Sequence, residues 1–166
     1  MAKRPILRYP DQRLQLPALA VERFGAELSM LAGDLLETMR AAPGIGITAP
    51  HIGVLQRVTV IELDAATGAR TYVNPKILWS SDETILHAEG SVSMPGISEE
   101  VLRAHRVRVG YQTLSGEQAE EDAEGLMSVC LQHEIDQLDG IFWLQRLSRL
   151  KRDRAVKRFS KQMKSG

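Results

Sequence analysis

At 166 residues the chain is long enough to bury a core without a disulfide or a structural metal, and its 21 Lys or Arg balance 21 Asp or Glu to a net charge of zero. The single cysteine, Cys130, excludes an intrachain disulfide framework. Met1-Ala2-Lys3-Arg4-Pro5 leads into no apolar run long enough for a signal peptide or a membrane span, so one soluble, cytoplasmic domain over residues 1–166 is expected, with no membrane partner.

The first helix is expected from about Ala26 to Ala42, with Leu28, Leu31, Leu35, Leu36 and Met39 as its buried stripe and Pro43-Gly44 ending it. A glycine-rich connection follows. Arg57 to Leu63 is β-branched and alternating, Ala65 to Ala69 reads as a turn, and Arg70 to Leu78 is a strand that Asn74-Pro75 should interrupt or place at a sheet edge. Thr84 to Ser93, Val101 to Leu102 and Arg106 to Tyr111 read as further short strands. Glu120 to Leu138 reads as the second helix and Leu147 to Lys164 as the third. Strands set between helices, without alternating βαβ units, give an α+β class with mainly antiparallel pairing.

Charge is unevenly spread. Residues 146–166 hold nine Lys or Arg and one acidic residue, Asp153, which leaves 12 basic and 20 acidic residues before them. The segment reads as a basic C-terminal helix with an apolar stripe of Leu147, Leu150, Ala155 and Phe159. Its plain reading is a solvated face; its sharper one is contact with RNA phosphates.

Three segments carry chemistry. In Gly44-Ile45-Gly46-Ile47-Thr48-Ala49-Pro50-His51 the glycines should let a ligand backbone approach closely. In Glu89-Gly90-Ser91-Val92-Ser93 strand alternation sends His87, Glu89 and Ser91 to one face. The third segment, His133-Glu134-Ile135-Asp136-Gln137, is one residue short of a His-Glu-x-x-His helix, in which two imidazoles at i and i+4 grip a metal beside a general base.

In this order and spacing the three segments resemble the peptide deformylases, which remove the formyl group from the initiator methionine of new bacterial chains. Ile6-Leu7-Arg8-Tyr9-Pro10-Asp11, Glu37-Thr38-Met39, Asn74-Pro75 and Leu147-Ser148-Arg149-Leu150-Lys151-Arg152 extend the resemblance over nearly the whole chain. It implies the deformylase α+β fold, with mixed strands around a central helix that bears the metal histidines. It also implies three ligands to a single divalent transition ion such as iron, zinc or nickel. Those ligand positions fall on Ser91, His133 and Gln137, so a cysteine thiolate and one imidazole are replaced. A serine hydroxyl and a carboxamide are weak ligands for such an ion, and their loss should remove most of a binding free energy on the order of 10 kcal/mol. The family's oxyanion-binding glutamine falls on His51 and the alanine of its loop on Thr48, whereas Glu134, its general acid/base, is intact.

Three readings follow. The metal could be relocated onto His51, His87 and His133, with Cys130 as a further candidate ligand or a small buried hydrophobe. Ser91 could be a metal-free nucleophile activated by His51 or His133, although Glu89–Ser93 lacks a nucleophile-elbow spacing. The favoured reading is a pseudoenzyme that keeps the cleft, binds no metal, and turns over formyl peptides weakly or not at all. In it an N-terminal peptide or nascent chain pairs as a strand with Gly44, Ile45, Gly46 and Val92, and a methionine-like side chain enters a pocket beside Ile45, Leu126, Val129 and Cys130, with His87 on its wall. An active deformylase or related amide hydrolase with a remodelled site is the alternative. The basic tail is expected to touch the ribosome.

Overall fold

The structure is a computed structural model that describes residues 2–165. Helix α1 (Ala26–Ala41) and the connection after it lead into a five-stranded sheet. Its strands are β1 (Gly46–Thr48), β2 (Val58–Ile61), β3 (Arg70–Ser80), β6 (Arg106–Gln112) and β7 (Gln118–Glu124), ordered β1-β2-β3-β6-β7 and antiparallel throughout. Strands β4 (Thr84–Ser91) and β5 (Met94–Ala104) form a separate two-stranded sheet, turned by Val92-Ser93. Helices α2 (Leu126–Leu138) and α3 (Arg149–Ser165) complete the chain.

Strand β2 is buried at every position, which places it between two layers. Val58 and Val60 point toward α1, packing with Leu28, Leu35 and Met39. Ile61 points the other way and joins Tyr72, Val107 and Val109 against Cys130, Leu131 and Ile135 of α2. Helix α2 is thereby fixed on the sheet, and it also touches β5 of the hairpin. A third cluster, in which Met94, Ile97 and Val101 of β5 meet Phe142, Trp143, Leu144, Ala155 and Phe159, seats α3. Phe159 is the main apolar anchor of α3, and truncating a buried phenylalanine costs about 3–5 kcal/mol.

Several expected boundaries change. Residues 118–124 are a strand and not the start of a helix: each residue of β7 pairs with β6, from Arg106 opposite Glu124 to Gln112 opposite Gln118. Two of its acidic residues, Asp122 and Glu124, stand opposite Arg108 and Arg106 of β6, and Arg108 binds Asp122 at 2.8 Å. Gly125, at φ 61°, ends the strand and α2 begins beyond it. Val101-Leu102 belongs to the long strand β5, and β4 stops at Ser91.

Asn74-Pro75 neither breaks β3 nor lies at an edge. The strand runs on between β2 and β6 through a register shift between Val73 and Lys76, where proline's missing N–H leaves no gap in a regular ladder. Asn74 takes a positive φ of 49° there. Its carboxamide accepts from the Val21 N–H at 2.7 Å and donates to the Val21 carbonyl at 3.0 Å, docking the N-terminal segment on the sheet. Among the described residues no helix is long and apolar enough to cross a membrane.

Candidate active site

Strand β1, the β4–β5 hairpin and α2 surround one cavity of about 450 Å³. Gly44, Ile45, Gly46, His51, His87, Glu89, Ser91, Val92, Leu126, Val129, Cys130, His133 and Glu134 all line it. Gln137 does not. Its side chain leaves the site and donates to the Leu14 carbonyl at 2.6 Å.

The 3-10 turn Ala49–Ile52 after β1 holds His51, fully buried. The Thr48 backbone N–H donates to His51 Nδ1 at 2.9 Å, so Nδ1 is the accepting nitrogen and the ring proton lies on Nε2. That N–H is buried and has no partner among the described residues. Burial, helped by the nearby His133, lowers the His51 pKa to about 3, which leaves the ring neutral at physiological pH.

His133 is oriented from behind. Its Nδ1 donates to Glu89 Oε1 at 2.8 Å, and Nε2 stands 3.9 Å from Glu134 Oε2. Burial would lower its pKa, but the carboxylates of Glu134 and Glu89 outweigh burial and raise it. Glu89 is clamped in turn by Arg103, through Nε at 2.7 Å and Nη2 at 2.9 Å. Arg103 also binds Asp136 at 2.6 Å, and Arg146 grips the same Asp136 at 2.9 and 2.8 Å.

Glu134 points into the cavity with Oε1 buried and unpartnered, and burial pushes its pKa up to about 7. Gly46 is the residue that allows this: a Cβ there would lie 2.6 Å from Glu134 Oε2, and one on Gly44 would lie 2.8 Å from Val92 Cγ1. The two glycines thus give room to the Glu134 and Val92 side chains beside the cavity. Ser91 lies past an irregularity in the β4–β5 ladder, where its Oγ accepts from the Ser93 N–H at 3.1 Å. Among the described residues neither His51 nor His133 hydrogen-bonds to that hydroxyl. His87 is half-buried, its Nδ1 on the Ala88 carbonyl at 2.8 Å. Burial, reinforced by Glu134 and Glu89, pushes the Cys130 thiol up to about 12, far from a thiolate.

Residues 3–153 match the polypeptide deformylase family. The chain belongs to that family. A protein named peptide deformylase-like from Rhizobium meliloti is 66% identical over 161 residues, covering 97% of this chain and 94% of its own. A peptide deformylase from Phenylobacterium zucineum is 48% identical, with 99% of each chain covered. In three dimensions the chain is similar to a peptide deformylase from Legionella pneumophila, with a TM-score of 0.93, 38% identity, and 98% of this chain and 96% of that one covered.

Deformylases use a metal, and the residues present here do not fit a three-ligand transition-metal centre. Of the three ligand positions only His133 offers a ligating atom of the right kind; Ser91 is a neutral hydroxyl already bonded to the hairpin turn, and the Gln137 carboxamide lies outside the cavity. His51, His87 and His133 line the same cavity, and among the described residues no three His, Cys, Asp or Glu side chains cluster so as to hold an ion. The positions that the motifs single out do converge on one cavity, except Gln137. Sequence reasoning missed Arg103, Asp136 and Arg146, whose only local signal is charge inside otherwise apolar elements, and it missed Leu14.

The Glu89 carboxyl carries a stability consequence. Burial alone would raise its pKa, but the bonds from Arg103 and His133 hold it at about 2, below the ordinary 4.5. A carboxyl with a depressed folded pKa stabilises the fold above the unfolded value, and that contribution, on the order of 3 kcal/mol, is lost as pH falls from about 4.5 through about 2. Urea unfolding midpoints should therefore fall more steeply with acid in the wild type than in Glu89→Gln. Parallel pH profiles would show that the Glu89 clamp does not couple to folding.

Proposed function

We propose that this chain is a pseudoenzyme of the deformylase family: a cytoplasmic protein that holds N-terminal peptides in the family's cleft, with no resident metal and little or no deformylation. One observation carries the reading. The cleft, His133 and Glu134 are kept, while the side chain at the third ligand position has turned away to Leu14. Without a metal ion nothing acidifies the attacking water or polarises the formyl carbonyl, and Glu134 is left to activate ordinary water. An extended peptide would add a strand beside Ile45 and Gly46 on one side and Val92 on the other. A methionine-like side chain would lie among Ile45, Leu126, Val129 and Cys130, with His87 at the rim.

The second reading, an active amide hydrolase with a remodelled site, is favoured by one feature: Glu134, poised near 7, faces the cavity together with the unpartnered His51 N–H, a fit for a general base and an oxyanion donor. If that reading holds through a metal, the ion is a single iron, zinc or nickel at His133. Calorimetric titration with N-formyl-Met-Ala-Ser, alongside a formate-release assay, separates the two. The pseudoenzyme should bind the peptide and release formate at least about a hundredfold more slowly than an authentic deformylase. Turnover within about tenfold of such an enzyme, abolished by chelator, would overturn it.

The proposed partner beyond the peptide is the ribosome, through α3. The helix is pinned to the body by Phe159 and by Arg158, which reaches the Ser98 carbonyl and Glu99. Arg149, Lys151, Arg152, Arg154 and Lys157 stand on the same basic helix, where phosphates would be met. Phosphate contacts weaken steeply with salt, so cosedimentation with ribosomes should fade between low and physiological ionic strength and disappear when residues 146–166 are deleted. Cosedimentation unchanged by that deletion would contradict the contact.

A further inference from the structure

The buried face of the 3-10 turn Gln12–Gln15 rests against the C-terminal end of α2, and the contact is made of specific bonds. Leu14 is 1% exposed and packs with Phe142, Trp143 and Leu144. Its carbonyl accepts from Gln137 Nε2 across a sequence separation of 123 residues. The Ala18 N–H donates to the Leu138 carbonyl at 2.8 Å, filling a helix-end acceptor that α2 cannot satisfy itself. Gly140, at φ 80°, brings the backbone so close that a Cβ would lie 2.7 Å from the Gln15 carbonyl oxygen. Gln137 is only 2% exposed and its amide nitrogen is committed to Leu14.

We infer that position 137, a ligand position by family resemblance, serves in this chain as a structural lock: the Gln137 carboxamide fixes segment 12–18 on the end of α2, and the fold needs no metal to hold that junction. The inference goes beyond the proposed function, because the lock holds whether or not the cavity takes a peptide. A buried carbonyl deprived of its donor keeps the full cost of desolvation, which is why the bond matters more than an exposed one. An imidazole at 137 can offer a ring N–H to the same carbonyl, whereas a thioether offers no donor at all.

The test is amide hydrogen exchange on the full chain with Gln137→Met, which keeps the length and removes the donor, and with Gln137→His, whose ring N–H can replace it. The amides of Leu14 and Ala18 should exchange at least about tenfold faster in Gln137→Met, with a melting temperature lower by about 5 °C, while Gln137→His keeps more of that protection and the β4–β5 amides are unchanged in both. In the wild type, neither chelator nor added zinc, nickel or cobalt should change exchange in segment 12–18. Unchanged protection in Gln137→Met, or wild-type protection that rises with added metal, would overturn the inference. Should the variants fail to fold, NMR of the wild type decides: a through-bond coupling between the Gln137 side-chain nitrogen and the Leu14 carbonyl carbon is expected, and freely exchanging side-chain amide protons would contradict it.

Discussion

Arg103 is the charge around which the site is assembled. It sits 5% exposed on β5 and holds Glu89 of β4 with one edge of its guanidinium and Asp136 of α2 with another; Arg146, at the end of the 3-10 turn Trp143–Arg146, closes the cluster. The β4–β5 hairpin is thus joined to α2 and the turn after it through the buried Arg103, Glu89 and Asp136, with the half-exposed Arg146 at the rim. Removing one partner from such a cluster strands the others, at a cost of about 3–5 kcal/mol. The planar fork also fixes geometry, since a bidentate guanidinium sets the plane of Glu89, and Glu89 sets the ring of His133.

The cavity that results contains His51 Nε2–H and Glu134 Oε1, buried polar atoms that bind nothing among the described residues. Unsatisfied buried groups oppose folding and persist where the surroundings hold them in place. Here the holders are identifiable: Thr48 fixes the tautomer and tilt of His51, and Gly46 leaves the room that Glu134 occupies. A donor and a carboxyl facing the same space, walled by Ile45, Val92, Leu126 and Val129, suit a ligand with a polar end and an apolar side chain. One turn on from His133, the Gln137 side chain holds the N-terminal segment through its bond to Leu14. The helix therefore carries a cavity residue and a structural contact on neighbouring turns of one face.

Much of this was legible in the sequence wherever local chemistry decides structure. The limits of α1 follow from its apolar stripe and from Pro43-Gly44, and the motif residues converge on one cavity because their spacing along β1, β4 and α2 is itself the signal. The acidic strand β7 was not legible, since glutamate favours helix over strand locally and the arginines opposite Asp122 and Glu124 come from another strand. Asn74-Pro75 reads as an interruption until its partner, the Val21 backbone, is in place. Periodicity puts positions 133 and 137 on one face of α2, but no periodicity tells which way a buried carboxamide turns when its acceptor is a backbone carbonyl 123 residues away. Tertiary partners that are backbone atoms leave no mark in the sequence of the residue that binds them.

The central claim is that the family's cleft persists here without the family's metal centre. Its most direct test is elemental analysis of protein produced with supplemented iron, zinc, nickel and cobalt and purified anaerobically without chelator. The account predicts substoichiometric metal of every kind in a folded protein. A full equivalent of one transition metal, retained through desalting and lost on replacing His133 with alanine, would contradict it.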